Sequence, residues 1–115
     1  MLPKIDPTAT RSWKLLAAHY QDMKMVHMRS LFAGDPDRFA KYSLRFNDIL
    51  VDYSKNIITE ETKTLLLGLA EEMRLREGIE KMFTGDIINE TENRAVLHVA
   101  LRNRINTPIF VAGED

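Results

Sequence analysis

The 115 residues contain no cysteine, which excludes disulfide staples, thiol nucleophiles and thiolate metal sites and agrees with a reducing cytoplasm. Histidine is almost as scarce. His19, His27 and His98 stand too far apart in sequence for a close-spaced ligand set, so no metal site is expected. The five glycines, Gly34, Gly68, Gly78, Gly85 and Gly113, form neither a G-x-G-x-x-G run nor a P-loop, so no nucleotide cradle is encoded. Long apolar runs are missing too. Leu65 to Ala70 and Ala95 to Leu101 fall short of the roughly 18 residues that span a bilayer, and Met1 to Ile5 lacks the charged-then-apolar order of a signal peptide. A net charge of −1 supplies no general field for nucleic acid or anionic lipid, so neither is an expected partner. Asn89-Glu90-Thr91 matches a glycosylation acceptor, a short pattern without meaning in the cytoplasm.

What is present is an ordinary globular composition, 44% hydrophobic and 29% charged, in a length that fits one domain burying roughly two thirds of its unfolded surface. Residues 1–40 read as a helical arm. Asp6-Pro7 supplies a cap and a first helical residue, and Trp13, Leu16, Ala17, Tyr20 and Met23 follow at helical spacing. Leu31 and Phe32 lie in a short helix closed by Gly34, and Asp35-Pro36-Asp37 starts a turn that points Phe39 inward. The Trp13, Tyr20, Phe32 and Phe39 set is expected to pack as core. The period then changes to two: Tyr42, Leu44 and Phe46 alternate with Ser43 and Arg45, Asn47-Asp48 supplies a turn, and Ile49 to Tyr53 completes a hairpin. Thr59 caps a helix striped by Leu65, Leu66, Leu69, Ala70 and Met73, and a second helix carrying Ile79, Met82 and Phe83 ends at Gly85. From Ala95 to Leu101 every residue but His98 is apolar, which predicts a helix covered on all sides, and Thr107 to Val111 reads as a short strand.

Few residues carry chemistry. His98 in that apolar helix reads as a hydrogen-bonded core imidazole rather than a general acid or base. Arg94, Arg102 and Arg104 flank the same helix and have the fork geometry for phosphate. The favoured reading instead has Arg102 and Arg104, near its C-terminal end, offset the negative end of the helix dipole and pair with Glu90, Glu92 or a carboxylate outside the chain. Glu60-Glu61, Glu71-Glu72 and Glu90 with Glu92 read as solvated faces, and no Ser or Thr sits in a nucleophile motif.

Two blocks, Leu50-Val51-Asp52-Tyr53-Ser54-Lys55-Asn56 and Thr91 to Arg104, with Gly85 and Ile88-Asn89 before the second, closely resemble the N-terminal part of the glucose-6-phosphate isomerase family. The resemblance extends more weakly through Asp6-Pro7-Thr8 and Leu31-Phe32. Ile87 stands where many relatives have Lys or another residue after the Gly-acid pair, and Ile105 where Ser is usual. It implies an α/β fold class: a mainly helical N-terminal segment with a β-hairpin, part of a larger α/β/α sugar-isomerase (SIS-type) fold. The segment is then one unit over 1–115, with 1–40 as the arm and 41–115 as hairpin, helices and the start of the first sugar-isomerase domain. The activity implied is interconversion of glucose 6-phosphate and fructose 6-phosphate, by a cytoplasmic homodimer that needs no cofactor. The family's base, ring-opening acid and phosphate loops fall beyond the matched region. No catalytic, substrate-binding, cofactor-binding or metal residue is therefore expected in this chain, and the segment acts as scaffold. The competing reading is a free-standing, non-catalytic binding or regulatory module with an isomerase-like fold.

Overall fold

The computed structural model describes residues 1–105 and 107–111, so Asn106 and Gly113 of the sequence reading lie outside the described residues. The structure is mixed α and β: helical, with two small antiparallel hairpins. Its contacts divide it into two units, Arg11–Leu67 and Met1–Thr10 with Gly68–Asp115.

In the first unit, α1 (Arg11–Met23) buries Ser12 and His19, and Leu16 and Met23 are half-buried on the same face. The inward stripe is therefore rotated by one residue from the apolar one, and Trp13 and Tyr20 face solvent. His27 caps α2 (Met28–Ala33) by accepting the Arg29 N–H on Nδ1 at 3.1 Å, and Gly34 closes that helix as expected. Asp35 organises the next turn: its carboxylate accepts the Asp37 N–H at 3.0 Å and the Lys41 ammonium at 2.9 Å, leading into α3 (Arg38–Lys41). Phe32 and Phe39 are exposed, so the expected aromatic core is not formed. The buried places of this unit are held instead by Arg38, Tyr42, Ser54, His19 and Ser12, of which Tyr42 is the only hydrophobic one among the described residues.

The first hairpin follows the sequence closely. β1 (Ser43–Phe46) pairs with β2 (Ile49–Asp52) from Ser43↔Asp52 to Phe46↔Ile49, leaving Asn47-Asp48 as a two-residue turn with Asn47 at φ 54°. Of the alternating set Tyr42, Leu44 and Phe46, only Tyr42 is buried. α4 (Glu60–Glu72) begins with a reciprocal cap in which Thr62 Oγ1 accepts the Thr59 N–H at 3.0 Å and Thr59 Oγ1 accepts the Thr62 N–H at 3.4 Å. This is a capping box with threonine in the usual place of Glu or Gln.

In the second unit, Asp6 caps a 3-10 turn, Pro7–Ala9, accepting the Thr8 N–H. The cap at Asp6-Pro7 is as expected, but the turn stops there and α1 starts afresh at Arg11. α5 (Leu75–Phe83) ends where Gly85, at φ 81°, lets the Asp86 N–H reach back to the Lys81 carbonyl at 3.0 Å. That is the Schellman closure, and glycine is the residue it wants. The helix expected over Ala95 to Leu101 is not formed in full. Arg94–Ala95 forms β4, paired with β3 (Ile87–Asn89) through a bulge, and the helix left over, α6, is only His98–Leu101. His98 is exposed and Leu101 is 89% exposed, so within this chain the helix is not covered on all sides. The physical reason is pairing: the β-branched Ile87-Ile88 run offers backbone partners that Arg94 and Ala95 take up in preference to helical bonds. The strand expected over Thr107 to Val111 is also absent, since Val111 alone forms a bridge and Thr107 to Phe110 have no ladder.

Candidate functional site

The most strongly held polar group is Arg38. It is 3% exposed, and its guanidinium donates from Nε to the Ser54 carbonyl at 2.9 Å and from Nη2 to the carbonyls of Asn56 at 2.8 Å and Ile58 at 3.1 Å. Its cationic carbon lies 4.5 Å from the Tyr42 ring centre and 5.5 Å from that of Phe32. A buried charge is tolerated only when hydrogen bonds replace its water, and main-chain carbonyls do so here. Tyr42 in turn meets Tyr53 edge to face, ring centres 5.7 Å apart. Burial pushes the Tyr42 phenol up from its ordinary pKa, and its hydrogen bond to the Glu60 carboxylate adds to the rise.

Asp52 presents one of those carbonyls. Its Oδ1 accepts the Ser54 N–H at 2.9 Å and the Ser54 hydroxyl at 2.6 Å, so Asp52, Ser54 and Arg38 form a relay. Within the Leu50 to Asn56 block, Ser54 and Asn56 thus accept from the guanidinium and Asp52 holds Ser54 in place. The Ser54 hydroxyl, then its N–H, holds the Asp52 carboxyl below the usual range. A depressed carboxyl contributes stability at pH values above its unfolded pKa and loses that contribution as pH falls through the lower folded value. Ser54→Ala should therefore raise the Asp52 titration midpoint towards the ordinary value and move acid unfolding to higher pH. NMR titration of the Asp52 carboxyl carbon in both proteins checks this, and an unchanged midpoint would remove the hydroxyl from the relay.

The second polar cluster is built on His19. Its Nε2 lies 2.6 Å from Thr62 Oγ1, whereas the buried Nδ1 makes no hydrogen bond, the nearest carboxylate oxygen, of Glu61, standing 3.7 Å away. Thr62 already accepts the Thr59 N–H. Its Oγ1 also lies 3.1 Å from Thr59 Oγ1, so the imidazole, Thr62 and Thr59 form one hydrogen-bonded chain. This histidine joins α1 to the cap of α4.

Near the end of the chain, Arg94 and His98 line one cleft of about 450 Å³, together with Asn89, Glu92 and apolar residues including Leu97 and Leu101. Arg102 and Arg104 are not in its lining. Nor do they pair with Glu90 and Glu92 among the described residues. Glu90 meets Lys4 at 3.4 Å, and Glu92 accepts the Asn89 amide at 3.2 Å. Glu60, Glu61, Glu71 and Glu72 are exposed, as a solvated face requires. The three histidines lie on α1, before α2 and at the start of α6. Among the described residues no group of three or more His, Cys, Asp or Glu comes together as a metal site, and no helix is long and apolar enough to cross a membrane.

Sequence reasoning missed Arg38 and the Asp52–Ser54 relay, because a lone arginine four residues before a strand-like run gives no sign of its acceptors. The second hairpin had a usable signal, two isoleucines followed by the polar stretch Asn89 to Asn93, where Asn93 takes φ 54°.

Comparison with known proteins gives two findings. The family model of phosphoglucose isomerase matches residues 52–115. The glucose-6-phosphate isomerase of Desulforapulum autotrophicum is 55% identical over all 115 residues, which span 21% of that protein's length.

Proposed function

Because the chain belongs to the phosphoglucose isomerase family, we propose that it is the N-terminal scaffold of a glucose-6-phosphate isomerase. In this reading the complete enzyme interconverts glucose 6-phosphate and fructose 6-phosphate, serves glycolysis and gluconeogenesis in the cytoplasm, and works as a homodimer of SIS-type domains. Residues 1–40 form an arm and 41–115 open the first of those domains. The observation that carries it is 55% identity over the whole of the chain to a named isomerase.

Aldose–ketose isomerisation needs a base to carry a proton between C1 and C2, an acid to open the ring and a clamp for the phosphate. Within the chain the strongest polar groups are directed at its own backbone, as Arg38 is at three carbonyls. That is the economy of a scaffold, and the reacting groups belong to sequence beyond these residues.

The isolated 115-residue chain should therefore show no turnover of glucose 6-phosphate in a coupled assay. Put in place of the matching fifth of the Desulforapulum enzyme, it should support activity. Turnover by the purified short chain that scales with its concentration, above a control free of host isomerase, would overturn the assignment of catalysis to other sequence. A folded but inactive hybrid would count against the scaffold reading itself.

A further inference from the structure

Both faces of the first hairpin are largely open, and one of them is apolar. In the register Leu44↔Val51 and Phe46↔Ile49, directly opposed residues share a face, so these four side chains form one apolar surface. They are 64%, 52%, 74% and 59% exposed in that order. The charged residues of the strands, Arg45 and Asp52, alternate to the opposite face. The sheet has only two strands, both with an open edge. An isolated two-stranded hairpin is marginal in water unless further strands or a helix pack on it.

The geometry points to this face, Leu44, Phe46, Ile49 and Val51, as the docking surface for the part of an isomerase polypeptide that lies outside these 115 residues. The inference rests on the scaffold reading and names the surface through which the scaffold attaches. Two observations choose that occupant over a second copy of the chain. The chain spans 21% of the related isomerase, so nearly four fifths of such a polypeptide is available to cover it. Four side chains are also a small part of the roughly 800 Å² that each partner buries in a stable dimer. A face without charge suits permanent cover, like a domain core cut in half, rather than reversible encounter.

The test compares amide hydrogen exchange over residues 43–52 in the 115-residue chain and in the hybrid in which it replaces the matching fifth of the Desulforapulum enzyme. The hybrid should slow exchange there by at least about tenfold. Phe46→Lys with Ile49→Lys should reverse the slowing and lower the hybrid's melting temperature, while leaving the circular dichroism of the short chain unchanged. Ile49→Thr, a milder change, should do the same in smaller degree. Equal exchange in the two proteins would overturn the inference, and so would a lysine pair that leaves the hybrid's stability intact. A short chain that dimerises by light scattering and loses the dimer with the lysine pair would give the face to a second copy instead. An active hybrid with an unprotected hairpin defeats only this inference, whereas a protected but inactive hybrid upholds it and defeats the functional reading.

Discussion

Replacing Arg38 with methionine should cost about 3–5 kcal/mol, a large part of the roughly 5–15 kcal/mol that holds a small domain. Methionine fills much of the same volume, so the loss is not mainly a cavity. It comes from the carbonyls of Ser54 and Ile58, which would lose the donor the guanidinium supplies, and from that of Asn56, which would keep only the Ile58 N–H at 2.9 Å. Hydrogen bonds to a charged group contribute about 1.5–3 kcal/mol each, and three on one side chain are not additive, which sets the range below their sum. Arg38→Lys should recover less than half of it. A single ammonium keeps the charge but lacks the planar fork that spreads its donors over carbonyls of different residues. Thermal melts of the three proteins decide the matter, and a methionine variant melting within a few degrees of the parent would show that the carbonyls find other partners.

The second large effect is expected at Gly85. Its φ of 81° is strained for any residue with a side chain, and a Cβ there would stand 2.4 Å from the Phe110 carbonyl oxygen, which is main chain and cannot rotate aside. The left-handed conformation costs an L-residue roughly 1–2 kcal/mol, and overpacking adds about 1–3 kcal/mol. Gly85→Ala should then destabilise by about 2–5 kcal/mol, with amide protection lost at Asp86, whose N–H closes α5. Gly34→Ala offers the contrast. Gly34 sits at φ −82°, and its Cβ would meet the Ser30 carbonyl at 3.3 Å, so its effect should be much smaller. Similar losses at the two positions in chemical denaturation would contradict this account.

What the sequence made legible was local. The Asn47-Asp48 hairpin, the Asp6 cap, the Thr59 start of α4 and the Gly85 stop depend on a few adjacent residues whose chemistry fits one geometry. Legibility failed where the deciding partner is distant or is backbone. The acceptors of Arg38 lie 16 to 20 residues away and are carbonyls that any sequence would supply. The inward face of α1 fails for a related reason: His19 is drawn in by the Thr62 hydroxyl, and that turns Ser12 inward and Trp13 outward. The run Ala95-Val96-Leu97 fits a buried helix or a strand edge equally well, and only pairing of Ala95 with Ile87 decides it. The expected absence of catalytic residues had two bases, the lack of any nucleophile, metal or nucleotide motif in the residues and the family resemblance, which puts the reacting groups in other sequence.

The guanidinium of Arg38 divides its neighbourhood into positions that are free to drift and one that is not. Asn56 and Ile58 contribute to it only through main-chain oxygens, so most replacements that keep the local backbone path leave their hydrogen bonds whole. Arg38 contributes through its side chain alone, and no other residue type offers a permanently charged planar donor on a stem of that length. In a saturation library selected for folding, position 38 should admit almost nothing, while positions 56 and 58 accept a wide range.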